Sequence, residues 1–151
     1  MPAIKSALAV LSLSLILAGC AGQRLRQQVD TDERIEAVLE HAGPPVAMFH
    51  LPADHGAWEA LGNEHLLVRG RDGNTWLLRT GVCPGLPNSG YVTLTSSRDQ
   101  FTYVGQDRVT RLSGSCDLLE ARPIAGVDVH GVPGRLNVIT RPRQEDLAGS
   151  F

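Results

Sequence analysis

Glu64-His65-Leu66-Leu67-Val68-Arg69-Gly70-Arg71-Asp72-Gly73-Asn74-Thr75-Trp76-Leu77-Leu78-Arg79-Thr80 carries the clearest local signal in the chain. Two apolar-rich runs, 64–71 and 74–80, flank Asp72-Gly73, a dipeptide that suits the backbone of a tight hairpin turn. A two-residue turn sets Arg69 opposite Trp76 and Leu67 opposite Leu78. Because side chains along a strand alternate faces, Leu67, Trp76 and Leu78 then share the core side, with Arg69 over the indole edge or at the rim. A bulged turn built on Gly70 or Gly73 gives a different register, and the sequence leaves that alternative open.

Downstream, strand and turn signals recur about every ten residues. Cys83-Pro84-Gly85-Leu86-Pro87-Asn88-Ser89-Gly90 is turn-rich, and Tyr91 to Thr95 alternates with Val92 and Leu94 on one face. Phe101 to Val104 and Arg108 to Leu112 read as strands around a Gly105-Gln106-Asp107 turn. Gly114-Ser115-Cys116 ends that piece, and Leu118 to Ile124 forms another strand stopped at or near Pro123. Val127, Val129 and Val132 suit a further strand, and Leu136, Val138 and Ile139 a last one. Upstream, Val46 to Leu51 is a strand, followed by a Pro52-to-Gly56 loop and Trp58.

One helix precedes these strands. Asp30 caps it, Glu33 completes a capping box, and Ile35, Val38, Leu39 and Ala42 form one apolar stripe. Gly43 supplies a left-handed stop, and Pro44-Pro45 forbid continuation. The fold class is mainly β: a small antiparallel meander or barrel with one N-terminal amphipathic helix. No segment after Ala42 shows three turns of helical period, which argues against an α/β sheet.

The first twenty residues have a different character. Lys5, the only lysine, is followed by the uncharged run Ala7 to Leu17, of a length suited to a signal peptide and short for a bilayer span. Leu17-Ala18-Gly19-Cys20 then matches a lipobox, in which the cysteine thiol receives diacylglycerol. The expected organisation is a lipoprotein signal peptide at 1–19, a linker at 20–29 and a disulfide-linked β-rich domain at 30–125. Residues 126–151 form a C-terminal extension with room for two short strands and a frayed tail.

Cys20 is the expected lipidation site, and membrane lipid, through the acyl anchor, the first expected partner. Ala21, rather than Asp, after the modified cysteine favours the inner leaflet of the outer membrane, facing the periplasm. Loss of Lys5 takes the formal charge from −2 to −3. Such mixed charge near neutrality offers no broad attraction to nucleic acid.

Two cysteines remain, Cys83 and Cys116. In an oxidising compartment the simplest reading is a disulfide, worth about 3–4 kcal/mol on the chain-entropy estimate. Buried reduced thiols, or a reactive or metal site, remain the alternatives.

Residues with chemistry are scattered. None of the five histidines pairs with another at His-x-His or His-x-x-x-His spacing. Asp54-His55 and Asp128-Val129-His130 each set an acid beside a histidine, and His55, Asp128 and His130 are the polar-site candidates. Serines 89 and 115 lack a nucleophile-elbow context. No cofactor or metal set is visible, and no catalytic set identifies an enzyme. Arg108, Arg111 and Arg122 can gather near Cys116 with Asp107 and Asp117 as an anion site, or serve as solvated edge charges. Trp58 and Trp76 suit either core positions or ligand anchors.

Several features together resemble a family of uncharacterised small proteobacterial lipoproteins, described as a domain of unknown function. They are Arg34-Ile35, Ala42-Gly43-x-Pro45-Val46, Trp58, Trp76-Leu77-Leu78, Cys83-x-x-Leu86, Asp107-x-Val109 and Cys116 followed by Arg122-Pro123-Ile124. The resemblance spans about Asp32 to Ile124. It implies that Cys83 and Cys116 pair, and it brings no catalytic residue or ligand. Two function classes follow. One is a lipid-anchored envelope module that binds a protein or cell-wall partner. The other is an envelope small-ligand binder or enzyme with a histidine/aspartate site.

Overall fold

The computed structural model describes residues 22–51, 56–96, 100–130 and 136–140. Cys20, His55, Val132 and the tail from 141 lie outside these residues.

The chain forms a helix α1 (22–39) and nine strands: β1 (Met48–His50), β2 (Ala57–Leu61), β3 (His65–Arg69), β4 (Thr75–Thr80), β5 (Val92–Ser96), β6 (Phe101–Tyr103), β7 (Arg108–Arg111), β8 (Gly114–Ile124) and β9 (Leu136–Thr140). The architecture is mainly β, as the sequence implies. A curled seven-stranded sheet in the order β2-β3-β4-β8-β7-β5-β9 forms a half-barrel, and β1 and β6 make a small antiparallel sheet.

The helix begins earlier than its sequence signals suggest. Residues 22–29, in the expected linker, are helical and exposed, and Asp30 lies inside the helix, not at its N-cap. Arg24, Leu25, Arg26, Gln27 and Gln28 all favour helix, and nothing between Gly22 and Gly43 breaks it. The hydroxyl of Thr31 is satisfied within the helix by donating to the carbonyl of Gln27 at 2.8 Å. At the other end, His41 and Ala42 donate to the carbonyls three residues back, which tightens the final turn. Gly43 is not left-handed. It is needed for close approach, because a Cβ there would stand 2.8 Å from Cγ of Pro123.

The β3–β4 hairpin takes the bulged alternative. The Gly73 N–H donates to the Gly70 carbonyl at 3.1 Å and the Gly70 N–H to Asn74 at 2.9 Å, with Gly73 at φ 84°. A three-residue loop closing on a left-handed glycine adds one residue to the turn. Leu66 therefore faces Leu78, Leu67 faces Leu77 and Val68 faces Trp76, while Arg69 faces Thr75. Leu67 is on the opposite face from Trp76 and Leu78, and Arg69 does not cover the indole.

β8 is longer than expected. Gly114-Ser115-Cys116 opens it instead of ending the previous piece, and it runs on through Pro123. Residues 114–117 pair with β7 along one edge, and 118–124 pair with β4 along the other. Where β7 ends, Ala42 and Val46 bridge to Ile124 and Ala121 instead. Pro123 is tolerated because the N and O of a strand residue point the same way. Its carbonyl accepts from Gly43 at 2.8 Å, so the missing donor faces that irregular side and not the β4 ladder. A bulge at Leu119 shifts the β4 register between Arg79 and Thr80.

The curl brings the two end strands together at one point. Gly56, just before β2, bridges to Leu136 of β9, and a Cβ at Gly56 would stand 2.4 Å from the Arg69 carbonyl. β9 lies parallel to β5. Leu66, Val68, Leu78, Leu94, Val109, Leu118 and Leu136 fill the concave side, together with Trp58 and with Phe49 and Leu51 from the small sheet's end. A second cluster lies on the convex side, where Leu61, Leu67, Leu77 and Ile124 pack with Val38 and Ile35 of the helix. Cys83 and Cys116 are joined by a disulfide with their Cα atoms 5.9 Å apart, on the concave side.

Candidate functional site

After Ile124 the chain leaves the sheet, and residues 125–130 form no strand. Val127 and Val129 were expected to form a strand; they form an extended strap that packs on the convex cluster. The strap crosses the sheet toward its edge. Asp128 meets Arg69 of β3 at 3.8 Å, and the His130 N–H donates to Glu59 Oε2 of β2 at 2.8 Å.

Between this strap and the mouth of the β3–β4 hairpin lies an open cleft of about 530 Å³. Arg69, Asn74, Thr75 and Trp76 form one wall, and the 123–128 backbone with Asp128 forms the other. Asn74 is held by Asp72, whose two carboxylate oxygens accept from the Asn74 backbone N–H at 3.1 Å and its Nδ2 at 2.7 Å. That clamp fixes the lip of the cleft through the turn itself. The Arg69–Asp128 pair is solvent-exposed, so it contributes little to stability and can exchange its partners for those of a ligand.

Trp76 joins the cleft to the core. Its ring packs on Phe49 with centroids 4.9 Å apart, and its Nε1–H is buried without a hydrogen-bond partner. Trp58 has the same unsatisfied indole donor. Val68 pairs with Trp58 on one side and Trp76 on the other, so two orphaned donors flank one valine on the concave face. Trp58 is a core residue and Trp76 is half-buried at the cleft.

The arginines do not gather. Arg108 grips Asp117 on the exposed side of the β7–β8 pair, at 2.6 and 2.7 Å. Arg111 donates from Nε to Sγ of Cys83 at 3.2 Å and from Nη1 to Ser113. Arg122 is on the convex face and donates to Glu120 at 2.8 Å and to the Gly43 carbonyl at 3.5 Å. Asp107 is buried. Its carboxylate accepts from the Thr95 hydroxyl at 2.8 Å and the Tyr103 N–H at 2.7 Å, tying the β6–β7 turn to β5. Asp107 was read as a turn residue, since its position in Gly105-Gln106-Asp107 gives no sign of burial.

Among the described residues, the histidines stay on separate elements. His41 follows the helix, His50 lies on β1 with its ring edge-on to Phe101 at 5.5 Å, and His130 is on the strap. His65 of β3 faces Arg79, which faces Glu120. Burial lowers the His65 pKa, with Arg79 adding to the effect against the opposing pull of Glu64 and Glu120. The hydrogen bond from Arg122 lowers the pKa of Glu120, with burial opposing and both Arg122 and Arg79 reinforcing it electrostatically. Among the described residues, no group of three or more His, Cys, Asp or Glu is placed to hold a metal ion. Of the expected pair, Asp128 lines the cleft, and the His130 backbone N–H donates to Glu59.

A family model described as a family of unknown function (DUF6491) matches residues 3–132. The chain belongs to that family. No curated protein and no solved structure matches it. The matched stretch includes both walls of the cleft and both cysteines of the disulfide.

Proposed function

We propose that this DUF6491 protein is a lipid-anchored module of the bacterial cell envelope that binds a protein or cell-wall partner through the cleft between its hairpin and its strap. The observation that carries the binding reading is the cleft itself. It offers a guanidinium, a carboxylate and a clamped amide within one open groove, with Trp76 in its wall. That set can recognise a polar chain bearing both charges, such as a peptide segment. Its two ionisable groups, Arg69 and Asp128, face each other, and its remaining polar side chains are Asn74 and Thr75, a hydrogen-bonding set with no nucleophile–base pair.

The anchor reading rests on Leu17-Ala18-Gly19-Cys20 after an uncharged run. Among the described residues no helix is long and apolar enough to cross a membrane. An acylated Cys20 supplies attachment and raises the effective concentration of the cleft near the envelope surface, so a modest affinity suffices. Ala21, rather than Asp, after the acylated cysteine supports a seat in the outer membrane's periplasmic leaflet.

Photo-crosslinking tests the cleft. With p-benzoylphenylalanine at Asn74, envelope preparations should give a discrete adduct that is lost in the Arg69→Ala, Asp128→Ala background. The same group at Ser115, on the exposed start of β8, should give none. Equal adducts from both positions, or none from either, contradict the proposal.

A further inference from the structure

The first two turns of α1 have a charge pattern that helix stability alone does not favour. Arg24 and Arg26 lie there with no acid, whereas Asp30, Asp32, Glu33 and Glu36 follow with Arg34 as the only cation up to residue 39. A helix N-terminus carries positive partial charge, so cations are disfavoured there and acids favoured. The same two turns expose Leu25 at 66% and Val29 at 54%. At about 100° per residue, Leu25 and Val29 lie some 40° apart on one face, with Arg26 about 80° from its centre on one side, Arg24 about 120° on the other, and Gln27 directly opposite.

We infer that this end of α1 lies on an anionic phospholipid surface, with Leu25 and Val29 entering the acyl boundary and Arg24 and Arg26 at the headgroups; this rests on the anchoring of Cys20. Three observations choose this occupant. The cations flank the apolar pair where long side chains snorkel to phosphate. The acids begin immediately after Val29, so an anionic surface attracts the first two turns and repels the rest. The proposed acyl attachment lies five residues before Leu25, which holds the face against lipid. A second copy fits poorly as occupant, because a heptad seam through Leu25 and Val29 places Asp32 and Glu36 at its next two positions.

Nitroxide labels on the acylated full-length protein test this. With Cys20 acylated and Cys83–Cys116 bonded, Val29→Cys or Gln27→Cys introduces a single free thiol. In phosphatidylcholine vesicles containing phosphatidylglycerol, the label at 29 should lose accessibility to a water-soluble nickel chelate while the label at 27 keeps it. That loss should disappear in pure phosphatidylcholine and in the Arg24→Gln, Arg26→Gln variant. Equal accessibility at 27 and 29 in the anionic vesicles overturns the inference. Protection at 29 that persists without anionic lipid, or spin–spin broadening removed by dilution with unlabelled chain, overturns it too, the latter in favour of self-association. Intact mass reads the anchor separately. A chain without acyl mass on Cys20 defeats the anchoring proposal, and the same labels then report the helix face on protein mixed with the same vesicles.

Discussion

The two faces of β3, β4 and β8 are closed in different ways. The concave face is covered by the sheet's own curl, so Leu66, Val68 and Leu78 meet side chains from β5, β7 and β9. Among the described residues, no second sheet covers the convex face. Leu67, Leu77 and Ile124 are covered by the end of α1 and by the strap at 125–130, two local pieces resting on a layer they do not hydrogen-bond along its length. A face sealed by curling must be rigid, because each contact is shared across several strands. A face sealed by a strap can open, and the cleft lies where the strap meets the hairpin. Fold stability and the proposed binding surface thus lie on opposite sides of the same three strands.

Substitutions that delete matched volumes separate the two faces most strongly. Leu78→Ala, in the shared concave core, should cost about 4–5 kcal/mol, while Leu67→Ala on the convex side should cost about 2–3 because the strap can settle into the gap. Urea unfolding of both variants measures the difference, and equal costs would mean that the convex cover is as rigid as the core. Both residues are fully buried, so exposure does not explain a gap between them.

Acidification should act through the convex face. The folded pKa of His65 is lowered, so between it and the ordinary value of 6.5 the unfolded chain binds more protons. Stability from this group is complete above 6.5 and declines as pH falls below it. Glu120 is also lowered from 4.5, so its contribution is complete above that value and is lost as pH falls through the folded pKa. Thermal unfolding across pH should show two successive losses, with His65→Asn removing the upper and Glu120→Gln the lower. An unchanged profile in both variants rules out the convex row as the source.

The smallest expected effect concerns the indole donors on the concave side. Trp58→Phe removes an unsatisfied buried N–H together with some ring volume, two opposing changes, and should alter stability by less than about 1 kcal/mol. Trp58→Ala should cost about 3–5 kcal/mol. A large loss in the phenylalanine variant would show that the Nε1–H is satisfied in solution.

The hairpin shows where sequence reading succeeds and where it fails. Strand positions were legible because Leu66-Leu67-Val68 and Trp76-Leu77-Leu78 are flanked by turn residues. Register was not, because runs apolar on both faces show no alternation to choose between a two- and a three-residue turn. β5, with Val92 and Leu94 inward and Thr93 and Thr95 between, shows the alternation and its face was read directly. Of the site, Trp76, Arg69 and Asp128 were visible as residues, but Asn74 and the strap were not, since the strap's Val127-x-Val129 pattern is also that of a strand. Gly43 was assigned the wrong role because contact with Pro123, eighty residues on, leaves no local mark. The early start of α1 was hidden by a plausible capping box at Asp30 and Glu33.

Native-state hydrogen exchange tests most directly whether the strap is a movable wall over a rigid sheet. Amides in the β3–β4 and β4–β8 ladders should exchange only through global unfolding, following the full denaturant dependence. The strap amides of Ala125, bonded to the His41 carbonyl, and His130, bonded to Glu59, should exchange through local opening with little denaturant dependence. If those two amides exchange at the same free energy as the β4 ladder, the strap is part of the core and the division between a stable face and a binding face is contradicted.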